Sequence, residues 1–118
     1  MGDSTGAYDI EIKQGETFNR LVVWDNEDGS HVDLTGYTAK MQIRKRRTSS
    51  DVIIELSTAN GRITLGGAAG TITLTISATD TAALDICQGA VYDLELTVGS
   101  TVKRLLAGEV SFSREVTQ

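Results

Sequence analysis

Few residues in this sequence have the chemistry of a catalytic or metal-binding site. Histidine occurs once, as His31, and cysteine occurs once, as Cys87. A serine or cysteine nucleophile needs a base that titrates near neutral pH, and His31 is the one candidate of that kind. No residue near His31 in the sequence completes a catalytic triad, and one histidine with one cysteine cannot close a transition-metal site. We therefore predict that the protein is not an enzyme and carries no cofactor or metal.

Two other segments have a composition that ligand sites share. The acidic turn Asp25–Gly29 offers carboxylates to calcium but lacks the spaced ligands and the bidentate glutamate of a calcium loop. A phosphate loop contains a lysine and is followed by a helix, and the glycine-rich segment Gly66–Gly70 has neither feature. We interpret both as turns, and Cys87 as a small buried or half-buried side chain.

The clearest charge feature is a basic run of Arg44, Lys45, Arg46 and Arg47, preceded by Lys40. Four consecutive cations cannot all be buried, so they mark where a strand leaves the core. One interpretation is a solvated strand end, and another is contact with an acidic surface on a neighbouring subunit, with Asp93 and Glu95 as candidates. Phosphate binding comes third, because the net charge is −5. The same acidic balance argues against nucleic-acid binding.

Length and composition indicate one domain. A chain of 118 residues, 40% of them hydrophobic, is long enough for a single core. We expect residues 1–7 to form a flexible arm and residues 8–118 a single domain. No apolar run approaches the roughly 20 residues that span a bilayer, so we expect no membrane insertion. The 12 glycines and the absence of proline favour strands joined by glycine turns.

Alternation of apolar and polar residues predicts most of the strands. Between Tyr37 and Arg44, one face carries Tyr37, Ala39, Met41 and Ile43, and the other carries polar side chains. The same pattern predicts strands at 8–13, 18–24, 52–56, 62–65, 71–77, 91–98 and 101–112. Alanines in the segment from Ser77 to Leu84 favour a short helical crossover near 77–85.

Two turn predictions concern how these strands connect. Asn60-Gly61 is a hairpin signal, so we expect it to join 52–56 to 62–65 in one sheet. In the last strand the alternation breaks, and a β-bulge near Ala107-Gly108 would reset its register. The fold class predicted is an all-β, immunoglobulin-like antiparallel sandwich of about eight or nine strands.

The segment from Phe18 to Trp24 is apolar on both faces near its end. Such a strand is covered on both sides, either by its own fold or by another subunit. Phe18, Val22 and Trp24 would supply an apolar contact if their face is not covered internally. No proline protects the strand edges, so edge pairing in a symmetric homo-oligomer is a further expectation.

The order of these segments resembles small structural proteins of tailed bacteriophages. The phrases QGETF, VVWDNEDGSHVDLTGYTAKMQIR, DVIIELST, NGRITL, TITLTISATDTAAL and VYDLELTVGSTVKRLLAGEVSFSREVT carry the resemblance. Their layout is similar to the N-terminal β-sandwich domain of phage baseplate upper proteins, and it covers residues 8–117. That domain builds rings and attaches receptor-binding parts, and no catalytic residue carries over from it.

The resemblance implies a virion protein, made in the bacterial cytoplasm, that assembles with itself and with other virion proteins at the tail, the baseplate or a fibre attachment. Baseplate upper proteins carry a long extension after this domain, whereas the sequence here ends at Gln118. The expectation therefore extends to a stand-alone connector, or to a capsid decoration or head-fibre anchoring protein. A module that binds host-surface glycans is an alternative of another class.

Overall fold

A computed structural model describes residues 6–46, 48, 50–84 and 89–114 as an all-β fold with a single short α-helix. Cys87 and Arg47 lie outside these residues, so the prediction for Cys87 stays a prediction. The strands are β1 (Gly6–Ala7), β2 (Ile10–Lys13), β3 (Phe18–Val23), β4 (Thr38–Arg44), β5 (Val52–Ser57), β6 (Ile63–Leu65), β7 (Thr71–Ile76), β8 (Ala90–Val98) and β9 (Thr101–Ser113). A 3₁₀ turn spans Gly67–Ala69, and the helix α1 spans Ala78–Ala82.

The strands form two sheets. Sheet A has the order β1-β9-β8-β4-β5, with β2 also paired to β9, and sheet B has the order β3-β7-β6. This is the strand order of an immunoglobulin sandwich, in which one sheet contains strands B, E and D and the other contains C, F and G. The predicted all-β sandwich is therefore confirmed. It is not wholly antiparallel, because β1 and β2 run parallel to β9.

The core lies between the sheets and is built by the predicted alternation. Every second residue is buried in β4, in β7 and in β8 as far as Leu96, and β2 adds two isoleucines from the edge of sheet A. The largest fully buried apolar side chains belong to Ile12, Leu34, Met41, Ile43, Leu56, Ile72, Leu74, Ile76, Leu94, Leu96 and Val110. Burial of this interleaved apolar surface is the main force that holds the two sheets together.

The helix α1 confirms the predicted short crossover between the sheets. Ser77 caps its start, because the Ser77 hydroxyl accepts a hydrogen bond from the Asp80 backbone N–H at 3.1 Å. The buried hydroxyl of Thr81 donates to the carbonyl of Glu16 at 2.9 Å and accepts from the N–H of Gly15 at 3.1 Å. These bonds attach the helix to the turn between β2 and β3. No helix in the described ranges is long and apolar enough to cross a membrane.

The hairpin prediction at Asn60-Gly61 is wrong, because β5 pairs with β4 in sheet A whereas β6 pairs with β7 in sheet B. The turn carries the chain from one sheet to the other. The Asn60 side-chain oxygen accepts bonds from the N–H groups of Ser57 and Arg62 at 2.9 and 3.0 Å. Its amide nitrogen donates to the Glu55 carbonyl at 2.9 Å. Only Gly61 takes a positive φ, of 80°, so this is not the type I′ turn of a two-residue hairpin.

The bulge in β9 lies earlier than predicted. The register between β8 and β9 shifts between Leu94 and Glu95, which leaves Leu105 as the extra residue. Gly108 has a different role, because a Cβ atom at this position would overlap the backbone carbonyl of Tyr8. The glycine therefore permits the close approach of the N-terminal segment.

Residues 1–5 of the predicted arm lie outside the described residues, and the N-terminal segment pairs with β9 from Gly6 onward. Gly6 and Ala7 form β1, which pairs with Leu106 and Ala107. The Tyr8 N–H donates to the Ala107 carbonyl at 3.0 Å, and β2 continues the parallel pairing along the same side of β9. Together, β1 and β2 therefore cover the edge of β9 in sheet A.

Substitution of Gly108 by alanine tests this close approach. We expect Gly108→Ala to lower the free energy of unfolding by about 2–3 kcal/mol, since the new methyl group must displace backbone atoms of Tyr8. Urea denaturation measures the effect. Gly89→Ala is the matched control, because a Cβ there has its nearest contact at 3.9 Å. Equal midpoints for the two variants would contradict the assigned role of Gly108.

Candidate docking surfaces

The outer surface of sheet A is strongly charged. We call it the charged face, and it comprises Lys40, Gln42, Arg44, Glu55, Asp93, Glu95 and Arg104. The sheet register places Lys40 opposite Glu95, Gln42 opposite Asp93, and Glu95 opposite Arg104. Opposite charges therefore alternate across neighbouring strands, an arrangement that stabilises the sheet from its solvent side.

Side-chain contacts connect the charged face. Gln42 donates to a Glu55 carboxylate oxygen at 2.8 Å and accepts from the Arg44 guanidinium at 2.6 Å. The Arg104 Nε lies 3.5 Å from an oxygen of Asp93. A shallow cleft of about 340 Å³ runs between these side chains. Both signs of charge line the cleft, so it does not select strongly for an anion or a cation.

The structure separates the predicted basic run into two parts. Lys40 and Arg44 lie on the charged face, and Lys45 and Arg46 are exposed beyond the end of β4. The acidic candidates Asp93 and Glu95 lie in the neighbouring strand of the same chain, opposite Gln42 and Lys40. They therefore have basic neighbours within the chain, and their contact with another subunit stays a prediction.

The three apolar candidates point into the sandwich. Phe18 is buried, and Val22 and Trp24 are half-buried and pack against the core. The Trp24 ring meets the Tyr37 ring edge to face, with centroids 6.1 Å apart. The condition for their predicted contact, a face without internal cover, is not met. The inward packing of these rings also gives the glycan-binding alternative no exposed aromatic platform at this site.

The exposed apolar residues of β3 are Leu21 and Val23, which the sequence interpretation did not single out. Their exposed fractions are 59% and 45%. Strand alternation places them on the outer surface of sheet B, opposite Thr73 and Thr71 of β7. We call this surface the uncharged face, and it comprises Asn19, Leu21, Val23, Thr64, Thr71, Thr73 and Thr75. The apolar residues on both faces of 18–24 were the signal in the sequence for an apolar outer surface. Which of the two faces lies outside is decided by the pairing of β3 with β7.

A polar cluster attaches the N-terminal segment to both sheets. The Tyr92 hydroxyl donates to the carbonyl of Tyr8, and the Tyr8 hydroxyl accepts from Arg20 of β3. The Arg20 guanidinium also lies 5.2 Å from the centroid of the Tyr8 ring. Burial, together with the negative charge of Asp9, raises the pKa of Tyr92 to about 12. Asp9 itself accepts from the Glu109 N–H at 2.9 Å.

His31 and the carboxylates of the acidic turn contact neighbouring residues of the same loop. His31 Nδ1 lies 2.6 Å from a carboxylate oxygen of Asp25, and both residues are exposed in a loop that a single β-bridge closes. Asp28 accepts from the hydroxyl and the N–H of Ser30, and these bonds lower the pKa of Asp28. In the described ranges, no group of three or more His, Cys, Asp or Glu residues could hold a metal ion.

No protein-family model matches the sequence, and no curated protein matches it.

The polar cluster leads to a prediction about pH. The raised pKa of Tyr92 means that the unfolded chain releases the phenol proton at lower pH than the folded chain does. Tyr92 therefore contributes stability below pH 10, and this contribution is lost as the pH rises from about 10 to about 12. We expect the melting temperature to fall less steeply over this range in Tyr92→Phe than in the unsubstituted protein. Parallel slopes would contradict the account.

Proposed function

We propose that the protein is a non-enzymatic structural protein of a bacteriophage virion. It assembles through protein–protein contacts at the tail, the baseplate or a fibre attachment. The sequence resemblance supports the virion setting. The geometry of β3 supports assembly by protein contact, and this observation carries the proposal.

The strand β3 combines two properties of a contact site. It lies at the end of sheet B, so one of its edges has no neighbouring strand in the described part of the chain. It also exposes the apolar side chains of Leu21 and Val23. Covering these side chains with a partner removes apolar area from water at about 25 cal/mol per Å². An open edge supplies backbone hydrogen bonds to the same partner.

The charged face provides a second and different surface on the opposite side of the sandwich. Its alternating charges favour a partner whose own pattern is complementary, and such contacts give specificity and faster association more than affinity. Two unlike surfaces on opposite sides allow one subunit to contact two different neighbours at once. A connector between rings or fibres needs this property.

Immunogold electron microscopy tests the proposed setting. Purified phage particles from the source strain are incubated with gold-labelled antibody against the protein, with pre-immune antibody as the control. We expect label at the tail tip, the baseplate or the fibres. Label over the head would identify a decoration or head-fibre anchoring protein instead. No label on any particle would overturn the virion proposal.

A further inference from the structure

The four free strand edges of the sandwich differ in how well they resist pairing with another chain. Sheet edges are protected by short strands, bulges and charged side chains. The edge strand β6 has three residues, and β5 contains a register shift opposite Ile43 and Arg44. On the far side of β9, the N-terminal strand is interrupted between β1 and β2, and β2 exposes Glu11 and Lys13.

The edge of β3 has a single protection of this kind, the inward-facing charge of Arg20. Its six residues pair with β7 in an unbroken register, from Phe18 opposite Ile76 to Val23 opposite Thr71. The chain contains no proline. The one charged side chain in the strand, Arg20, faces inward and is held by Tyr8. The strand is therefore long, regular and uncharged on its outer side.

The hydrogen-bond pattern identifies which backbone groups are open. The Trp24 N–H donates to the Gly70 carbonyl at 2.9 Å, toward β7. Successive residues of a strand direct their backbone groups to opposite edges, so Phe18, Arg20 and Val22 also bond to β7. On the far side of β7 the Thr75 N–H donates to the Arg62 carbonyl at 2.8 Å, which agrees with this alternation. The N–H and C=O groups of Asn19, Leu21 and Val23 therefore point to the open edge.

We propose that two copies of this chain pair through β3. The pairing is antiparallel, and its two-fold axis passes beside Leu21. Leu21 then lies opposite Leu21 of the second copy, and Asn19 lies opposite Val23. This register uses all three open residues on both strands and forms about six backbone hydrogen bonds. The two copies of sheet B become one continuous six-stranded sheet. The inference rests on the proposed assembly function and names a partner for it.

Charge favours a second copy at this edge. Each chain carries a net charge of −5, so two copies repel unless they meet where charge is absent. The uncharged face contains only Asn, Leu, Val and Thr side chains, and the sheet extends this face across the two-fold axis. The carboxylates of the charged face lie on the opposite sheet. On the outer face the contact therefore places two apolar side chains together. On the inner face, Arg20 lies opposite Val22 of the second copy, and Glu11, Lys13 and Glu16 line the adjoining pocket.

The size of the contact sets the expected strength. A six-residue strand runs about 20 Å, so the paired edge is smaller than a standard interface of about 1,600 Å². We therefore expect a weak, reversible dimer, as is typical of contacts smaller than this. Backbone bonds and apolar contact dominate it, so salt has little effect on its dissociation constant. Association through the charged face would instead weaken as salt screens the charges.

Sedimentation velocity over a concentration series, at low and high salt, tests the pairing. We expect a monomer–dimer equilibrium that Leu21→Lys shifts to monomer, raising the dissociation constant at least tenfold, because the substitution places two cations directly opposite each other. The control is Val102→Lys, since Val102 is equally exposed, at 58%, but lies on β9 of the other sheet. Circular dichroism confirms that both variants fold.

Disulfide trapping tests the register in a Cys87→Ser background. Leu21→Cys places two cysteines about 5.5 Å apart between Cα atoms, which a disulfide can span. Asn19→Cys is the control, because its two copies lie about 13 Å apart along the paired strands. We expect oxidation to give a covalent dimer of the first variant only. Equal trapping of both variants would overturn the register.

Other outcomes separate this inference from the proposed function. A monomer at every concentration, or a dimer that Leu21→Lys leaves intact, would overturn the pairing through β3. A dimer that dissociates in high salt would assign the contact to the charged face. Either result leaves the virion proposal standing if immunogold label is still found on particles. A monomer that binds an extended peptide from another virion protein at β3 would also overturn the second copy as the occupant.

Discussion

The pairing of β1 and β2 with β9 is the contact that decides which edges of the two sheets stay open. The N-terminal segment could cover the edge of either sheet, and it covers sheet A. Three features hold it there: the clearance above Gly108, the bond from the Glu109 N–H to Asp9, and the bond from the Tyr92 hydroxyl to Tyr8. The consequence is that β3 has no strand beside it on one side among the strands that the structure describes.

The two sheets consequently have different outer surfaces and different edges. Sheet A has its long strands in the middle, a charged outer face and edges that are short, bulged or charged. Sheet B is narrow, has an uncharged outer face, and ends in a regular strand that exposes Leu21 and Val23. A monomeric protein gains nothing from an open apolar edge, since such edges promote aggregation. A subunit of an assembly can use the edge for a defined contact.

Alternation in the sequence was sufficient to predict the strands and the inward residues of β4, β7 and β8, because each strand has one clearly apolar face. It could not predict the partners of those strands. The Asn60-Gly61 turn has the local signature of a hairpin, yet Asn60 connects two sheets through bonds to Ser57, Arg62 and Glu55. Pairing depends on contacts that are distant in sequence, and a local signal carries no information about them.

The same limit explains the misplaced bulge in β9 and the choice that the sequence left open in β3. A single extra residue anywhere in the middle of β9 restores its alternation, so the pattern could not place the bulge at Leu105. The bulge was predicted near Gly108 because glycine is common at bulges. Glycine is required there for another reason, since a side chain would overlap the backbone of Tyr8, about a hundred residues earlier in the chain. Phe18 and Val22 of β3 share a face with Trp24, which follows the strand. Only the position of β7 shows that this face is the inner one.

Residue-resolved amide hydrogen exchange, followed by NMR at low and high protein concentration, tests the central claim that β3 is an open edge closed by a second copy. The account predicts an alternating pattern in dilute protein, with protected amides at Phe18, Arg20 and Val22 and rapid exchange at Asn19, Leu21 and Val23. At high concentration the second set becomes protected as well. Protection of all six amides in dilute protein, or rapid exchange at Leu21 at every concentration, would contradict it.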